Sequence, residues 1–266
     1  MSRRIRTFLG LAGLALLCSC RTESKAARDG VGSFIAGERA TAIQLRAADG
    51  RLLRIEVAPS AGLPVAGDWD GDGRDTVGYF EPGEDAFHLS DDFGEGAPQF
   101  SRVLVGWDCP ACYPVAGDFA GLGVDGVGVY DPARGLFLLR DRAEASSPIR
   151  TVAFGDAGVV QMPIAGRFAA CPQVQLGLYE PATATFRLRG CRVDEPTRTF
   201  RFGPLGGVPV AGRWQGAALD GVGVFEPAAG QFLLRSTATE GPADFAIPFF
   251  RAPAMPIAGR WSFDSQ

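Results

Sequence analysis

Two side chains that serve many protein functions are almost absent from this sequence. Its 266 residues include one lysine, Lys25, and one histidine, His88. A single histidine argues against a histidine-based metal site and against a Ser-His-Asp triad. The sequence also lacks a phosphate-binding glycine loop, a G-x-S-x-G elbow and an H-E-x-x-H motif. No motif therefore points to an enzyme class.

Helical periodicity of useful length is also missing after the first twenty residues. Glycine (36 residues) and proline (19 residues) are frequent, and they separate short alternating segments rich in β-branched and aromatic residues. Glycine and proline at these positions favour turns, so the pattern indicates many short strands joined by turns. The apolar fraction of 46% is sufficient for a large core. The sequence therefore predicts an all-β protein.

Residues 1–19 are typical of an export signal rather than of a folded domain. A basic start with three arginines precedes the apolar segment 8–17, which is too short for a stable membrane span. Residues 17–20, Leu-Cys-Ser-Cys, resemble the lipobox of bacterial lipoproteins. That resemblance implies cleavage before Cys20 and lipidation of its thiol, whereas Cys18 follows a leucine instead of a small residue. An ordinary secretory signal is the alternative.

The expected mature chain consists of a tether, residues 20–28, and a folded domain, residues 29–266. Removal of the signal leaves 23 basic side chains against 30 acidic ones, a formal charge of −7. This charge disfavours nucleic-acid binding, so no nucleic-acid partner is expected. The expected location is the bacterial cell envelope, outside the cytoplasm, with the N-terminal lipid as the membrane anchor.

Two short sequence blocks recur along the folded domain. The block P-[VI]-A-G begins at Pro64, Pro114, Pro163, Pro209 and Pro256. The block DGVGVF, or a close variant, begins at Asp29, Asp75, Asp125, Gln175 and Asp220. One unit spans about 48 residues. It reads as four strands, for example 114–119, 126–131, 136–140 and 149–154.

Repeated four-stranded units of this length predict a five-bladed β-propeller with four strands per blade. The folded domain begins with the second block and ends just after the first block. The C-terminal strand should therefore pair with the N-terminal three strands to complete one blade. Ring closure of this kind removes free sheet edges, which are sites of aggregation.

The segment 67–82, GDWDGDGRDTVGYFEP, resembles the FG-GAP/VCBS repeats of integrin α-subunits and bacterial surface proteins. The resemblance covers the five units from residue 29 onward, although the other copies are more degenerate. It implies a propeller with the acidic loop between strands one and two of a blade. It does not imply one particular function.

The acidic loop of this segment is a candidate site for one structural calcium ion. Asp68, Asp70 and Asp72 alternate along the loop, so their carboxylates can face one ion. The carbonyl of Arg74 is a further candidate ligand. Asp75 is the fifth candidate ligand, although the loops of the family usually carry this acid one position later, where this sequence has threonine. A solvated acidic turn is the alternative.

Three of the equivalent loops begin with arginine instead of aspartate. We predict that guanidinium groups replace the ion in two of them, through the ion pairs Arg213–Asp220 and Arg260–Asp29. The third loop begins with Arg167 and has Gln175 in place of the later acid. In that loop we expect a disulfide between Cys171 and Cys191 to hold the loop in place instead.

Four cysteines follow Cys20, and they allow three pairings. Export favours their oxidation, and local pairing is preferred, which gives Cys109 with Cys112 and Cys171 with Cys191. A redox role for Cys109-Pro-Ala-Cys112 is disfavoured because the motif lies in a loop and not at a helix N-terminus. A four-cysteine zinc site is disfavoured because the two pairs should lie at opposite ends of the blades.

The repeated aromatic residues are expected to be structural. An aromatic residue ends strand one in each unit, at Trp69, Phe119, Phe168, Trp214 and Trp261. Packing between blades is the expected role, because sugar-stacking sites would also repeat their polar partners. His88 is expected on the surface.

The sequence favours a surface-anchored, non-enzymatic binding or scaffold module whose ligand is a protein or a glycan. A secreted glycan-acting hydrolase on the same frame is one alternative. Its two catalytic acids cannot be identified from spacing alone, and units of this length leave little room for catalytic insertions. A purely structural envelope lipoprotein is the other alternative.

Overall fold

The computed structural model describes residues 29–35, 41–57, 62–93, 99–249 and 254–261. The predicted signal, the tether and Cys20 lie outside these residues. Twenty strands form five antiparallel sheets of four strands each, and the one helical segment described is the 3-10 turn Trp214–Gly216. Within these ranges no helix has the length and hydropathy needed to cross a membrane.

Four of the sheets are blades built from consecutive strands. Blade 2 contains β4 (Leu63–Gly67), β5 (Thr76–Glu81), β6 (Ala86–Leu89) and β7 (Ser101–Leu104). Blade 3 contains β8 (Tyr113–Gly117), β9 (Gly126–Asp131), β10 (Leu136–Arg140) and β11 (Ile149–Ala153). Blade 4 contains β12 (Met162–Gly166), β13 (Gln175–Glu180), β14 (Thr185–Leu188) and β15 (Arg198–Arg201). Blade 5 contains β16 (Val208–Gly212), β17 (Gly221–Glu226), β18 (Gln231–Arg235) and β19 (Phe245–Pro248).

Blade 1 joins the two ends of the folded domain. Its strands are β1 (Gly30–Ile35), β2 (Thr41–Arg46), β3 (Leu52–Val57) and, at the inner edge, β20 (Ala254–Gly259). The first and last strands are antiparallel, with Gly30 opposite Gly259. The predicted closure of the ring by strands from both ends is therefore confirmed.

The innermost strands of the five blades are β4, β8, β12, β16 and β20, and in each blade this strand is called strand one. Each of them contacts the innermost strands of the two neighbouring blades. The proline, valine or isoleucine, and alanine of the five P-x-A-G blocks line a narrow axial channel of about 120 Å³. Small side chains are needed here because five strands converge on one axis. The structure is a five-bladed β-propeller, as the repeat predicted.

The core of each blade lies between its second and third strands and the neighbouring blade. Phe80 and Phe87 have ring centroids 4.9 Å apart in blade 2, and Tyr130 and Phe137 are 4.9 Å apart in blade 3. All four side chains are fully buried. The aromatic residues after strand one are also buried or half-buried, which confirms their packing role.

Both predicted disulfides are present. Cys109 is bonded to Cys112 in the connection between blades 2 and 3. Cys171, in the loop between β12 and β13, is bonded to Cys191, which follows β14. The second bond therefore links two loops at the same end of blade 4.

Candidate functional site at the axial mouth

The loops between strands one and two surround a cavity of about 470 Å³, which we call the axial mouth. The alanines of the P-x-A-G blocks line both this mouth and the narrow channel. Nine charged side chains line the mouth: Asp29, Asp68, Asp75, Asp118, Asp125, Asp220, Arg167, Arg213 and Arg260. The charged residues at the two ends of these loops therefore lie together around the mouth.

A reciprocal pair of hydrogen bonds, which we call the boundary latch, joins neighbouring blades at the mouth. Asp125 Oδ2 accepts the N–H of Asp68 at 3.0 Å, and the N–H of Asp125 donates to the Asp68 carbonyl at 2.7 Å. The same two bonds join three further pairs: Asp29 with Arg213, Asp75 with Arg260, and Asp220 with Arg167. The repeated acid before strand two thus binds the preceding blade.

The two predicted arginine–aspartate ion pairs have different outcomes. Arg213 Nε lies 3.8 Å from Asp220 Oδ1, a long contact that confirms the first pair. No direct ion pair joins Arg260 and Asp29 among the described residues, so the second pair was wrong as a contact, although the Arg260 charge opposes the rise in the pKa of Asp29. Asp29 instead accepts the N–H of Arg213, and the N–H of Arg260 donates to Asp75. Repeat spacing identifies the charged positions but not the blade that each side chain reaches.

The boundary between blades 3 and 4 lacks the carboxylate of the latch. Here the N–H of Val174 donates to the Asp118 carbonyl at 3.0 Å. Gln175, at the position of the missing acid, bonds within its own blade. Its Oε1 accepts the N–H of Ala169 at 2.9 Å, and its Nε2 donates to the Gln173 carbonyl at 2.6 Å. The disulfide of blade 4 fastens this loop instead, as expected.

The latch also explains why the first block ends in glycine. A Cβ on Gly67 would lie 2.7 Å from the Trp69 ring and 3.0 Å from Asp125 Oδ2. A Cβ on Gly259 would meet the ring of Trp261 and the carboxylate of Asp75 at similar distances. Only glycine allows an aromatic ring and the latch carboxylate to approach the strand together.

Charge is distributed unevenly around the mouth. At three of the five boundaries the latch joins an arginine to an aspartate. The boundary between blades 2 and 3 joins two aspartates, Asp68 and Asp125. The boundary between blades 3 and 4 has one charged residue, Asp118. Burial raises the pKa of Asp125 to about 7, and the negative charges of Asp75, Asp68 and Asp118 act in the same direction. The side of the mouth next to blade 3 therefore carries uncompensated negative charge.

Two further carboxyls of the mouth have raised pKa values. Burial raises the pKa of Asp29 to about 7, although the hydrogen bond from the Arg213 N–H opposes the shift. Burial also raises the pKa of Asp75. Asp29 and Asp125 therefore exchange protons near neutral pH, and perturbed pKa values of this kind are common at binding and catalytic sites.

Three of the predicted calcium ligands lie together in the loop between β4 and β5. Carboxylate oxygens of Asp68, Asp70 and Asp72 all lie within 4.8 Å of one another. The two Asp68 oxygens accept the N–H groups of Gly71 at 2.7 Å and Gly73 at 2.9 Å. The oxygen donors fit a hard cation, and the glycines let the loop curl around them.

The carbonyl of Arg74 stays a predicted calcium ligand, whereas the side chain of Arg74 binds one of the loop carboxylates and Asp75 is engaged elsewhere. Arg74 Nε donates to Asp72 Oδ2 at 2.7 Å, and the hydrogen bonds from Arg74 lower the pKa of Asp72. Its guanidinium therefore competes with a cation for that carboxylate. Asp75 belongs to the latch with Arg260 and is not part of the three-carboxylate group.

A second group of possible metal ligands, which no sequence motif predicted, lies at the opposite end of β5 and consists of Glu81, Glu84 and His88. The expectation that His88 lies on the surface was wrong, because its side chain is only 15% exposed. The pairing of β5 with β6 places it opposite Tyr79, and the two rings stack with centroids 4.7 Å apart. Strand alternation alone could not show how deeply this ring would be covered.

No protein-family model and no curated protein sequence matches this chain. Solved structures similar to it include apo AztD from Citrobacter koseri, with 12% identity over 88% of this chain and 76% of that chain, at a TM-score of 0.36. A second structure of Citrobacter koseri AztD has 10% identity over 90% of this chain and 100% of that chain, at a TM-score of 0.43. AofleA from Arthrobotrys oligospora has 13% identity over 79% of this chain and 68% of that chain, also at 0.43. Likeness at this level does not identify a ligand.

Proposed function

We propose that the protein is a non-enzymatic binding module of the bacterial cell envelope, and that its axial mouth receives a cationic group of the ligand. The observation that carries the proposal is the uneven charge of the mouth. Asp68, Asp118 and Asp125 have no arginine opposite them, whereas the other boundaries have one. A bound ammonium or guanidinium would supply the missing positive charge.

The raised pKa values support this proposal in energetic terms. Asp125 ionises in the folded protein only at the expense of burial and of repulsion from Asp75 and Asp68. A cationic ligand group removes that repulsion and favours the ionised carboxylate. Relief of the repulsion between these carboxylates therefore contributes to the binding free energy.

The volume of the mouth limits what can enter it. A cavity of about 470 Å³ lies within the usual range of small-ligand pockets. It accommodates an amino sugar at the end of a glycan, or one lysine or arginine side chain of a protein, but not a protein surface. The amino sugar and the basic side chain both offer a cationic group, an ammonium or a guanidinium, with polar atoms beside it.

A direct test uses the full chain with Cys20→Ser, so that lipidation does not occur. Calorimetry would compare glucosamine oligomers with their N-acetylated counterparts, and a lysine peptide with its acetyl-lysine form. We expect only a cationic probe to bind, and Asp125→Asn to weaken binding about tenfold while keeping an acceptor for the Asp68 N–H. Asp49→Asn, an equal change of charge on an exposed turn, should have no effect. Equal binding of acetylated probes would contradict the proposal.

A glycan-acting hydrolase is the second candidate, and one observation favours it. Asp29 and Asp125 retain protons near pH 7, as a general acid requires. Release of reducing ends from envelope glycans that is lost in Asp29→Asn or Asp125→Asn would establish this activity. A chain with neither binding nor hydrolysis would be a purely structural envelope protein.

The membrane anchor and the family assignment are parts of the same proposal. The lipobox-like segment supports lipidation of Cys20 and a location outside the cytoplasm. Mass spectrometry of the N-terminal peptide should find an acylated Cys20, and Cys20→Ser should move the protein from the membrane to the soluble fraction. The loop sequence at 67–82 supports descent from FG-GAP/VCBS repeats.

We further propose that calcium, held by Asp68, Asp70 and Asp72, is a structural ion of the blade 2 loop. The convergence of three carboxylates supports this site. Neutralising their mutual repulsion is the chemistry that the ion supplies. This ion would fasten the loop beside the mouth and would not act on the ligand.

A further inference from the structure

The geometry of the turn between β5 and β6 points to a second metal site, for a divalent transition metal of the zinc class, formed by Glu81, Glu84 and His88. Glu81 ends β5, Glu84 lies in the turn, and His88 is on β6. One donor atom of each residue lies within 4.8 Å of the other two. The site is independent of the axial mouth, which lies at the other end of β5.

The distances between the donor atoms favour a shared ion. His88 Nε2 lies 3.5 Å from Glu84 Oε2 and 3.7 Å from Glu81 Oε2. Neither contact is a hydrogen bond in this geometry, because Nε2 has no hydrogen-bond partner. Two ligands of a tetrahedral zinc ion, each about 2.1 Å from the metal, lie about 3.4 Å apart. The observed separations are therefore close to those of neighbouring metal ligands.

The imidazole is also held in place for coordination. Its ring stacks on Tyr79 with an angle of 12° between the planes, and Nε2 is shielded from solvent. A buried ring nitrogen without a partner is unfavourable, and a metal ion would satisfy it. Arg102 Nε, on the neighbouring strand, donates to the same Glu84 Oε2 at 2.9 Å, so a metal ion has to compete with this hydrogen bond.

The equivalent turns of the other blades show that two of these residues are not needed for the fold. The acid at the end of strand two recurs as Asp131, Glu180 and Glu226, so it belongs to the turn. The position of Glu84 is occupied by Arg134, Thr183 and Ala229, and that of His88 by Leu138, Arg187 and Leu233. Blade 2 alone, among blades 2 to 5, combines the three ligands.

The ligand set indicates which metals the site prefers. One imidazole with two carboxylates suits zinc, cobalt or nickel, whereas calcium and magnesium prefer oxygen donors alone. The four cysteines described are held in disulfides and do not compete for these metals. A single histidine argues against a site built from several histidines, but this site needs only one because the glutamates supply the other ligands.

The test is titration of the untagged full chain carrying Cys18→Ser and Cys20→Ser, which removes two other zinc-binding thiols, with Zn²⁺ and Co²⁺. Binding is followed by calorimetry and by the NMR signals of the single histidine. We expect one zinc ion per chain, a shifted His88 ring signal, and no displacement by excess calcium. His88→Leu, the residue of blades 3 and 5, should weaken zinc binding at least about 100-fold, and Glu84→Gln about tenfold or more.

Two controls separate this site from other metal binding and from misfolding. Asp70→Ala removes a carboxylate of the other cluster and should leave zinc affinity unchanged, and Glu226→Gln, a Glu-to-Gln change at the end of strand two in blade 5, should leave it unchanged as well. The unfolding midpoint of metal-free His88→Leu should match that of the unmodified chain. Equal zinc affinity in His88→Leu, or an unshifted His88 signal at saturating zinc, would overturn the proposal.

Discussion

Blades 2 and 3 have the same four strands, but they differ in side chains at both ends of strand two. In blade 3 Asp118 accepts the N–H groups of Leu122 at 2.8 Å and Gly123 at 2.9 Å, as Asp68 does for two loop residues of blade 2. Blade 3 has Ala120 and Leu122 where blade 2 has the next two acids of its loop. The loop of blade 3 therefore folds around its first acid alone, whereas in blade 2 Asp70 and Asp72 also accept the N–H groups of Asp72 and Arg74, respectively.

The largest expected effect tests whether the first acid has the same role in both blades. Asp68→Ala and Asp118→Ala each leave two loop N–H groups without their acceptor. Each should lower the free energy of unfolding by about 2 kcal/mol, measured by urea denaturation in chelator. Asp194→Ala, on an exposed loop, should have no measurable effect. Destabilisation of the Asp68 variant alone would show that the two loops are not equivalent.

The next largest effect is stabilisation by calcium, which is expected from the loop of blade 2 and not from that of blade 3. At a calcium concentration tenfold above its dissociation constant, the ion should stabilise the protein by about 1.4 kcal/mol. Asp70→Ala, which gives blade 2 the residue of blade 3, should abolish this gain. The measurement is thermal unfolding with calcium and with chelator. The same midpoint in both conditions for the unmodified chain would exclude a structural calcium ion.

A smaller effect concerns the latch that joins the two blades. Asp125→Ala removes the acceptor of the Asp68 N–H and should cost about 1 kcal/mol. Asp125→Asn keeps an acceptor and removes a buried charge, so it should be at least as stable as the unmodified chain at pH 8. If the asparagine variant lost as much stability as the alanine variant, the carboxylate charge itself would be required.

The smallest effect is expected at the other end of strand two. His88→Leu should change the metal-free unfolding free energy by no more than about 0.5 kcal/mol, since blades 3 and 5 fold with leucine there. Chemical denaturation without metal measures this difference. A loss of 2 kcal/mol or more would mean that His88 is part of the core, with stacking on Tyr79 as its main role.

The repeat allowed the fold to be predicted in detail, because each unit carries the same turn and strand pattern. In blade 3 the second and third strands, Gly126–Asp131 and Leu136–Arg140, begin and end at the predicted residues. The split blade could be predicted as well, because the chain enters and leaves the repeat at different blocks. The disulfides followed from local spacing and the expected oxidising compartment.

The contacts between units could not be predicted in the same way. Asp29 and Asp75 bind the preceding blade, and the repeat contains no signal for the neighbour that a side chain reaches. The uneven charge of the mouth depends on these contacts. The group around His88 depends on the pairing register of β5 with β6 and on the shape of the turn, which a short motif does not encode.

The most direct test of the buried carboxyls with raised pKa values in the mouth is the unfolding free energy measured from pH 5 to pH 8.5 at constant ionic strength. The carboxyls of Asp29 and Asp125 have an ordinary pKa of 3.8 and a pKa of about 7 in the folded protein. Between these values the folded chain holds more protons than the unfolded chain, so stability should fall as pH rises to about 7 and then level off. The decline should be shallower in the double variant Asp29→Asn, Asp125→Asn. A flat or rising profile for the unmodified chain would contradict the account.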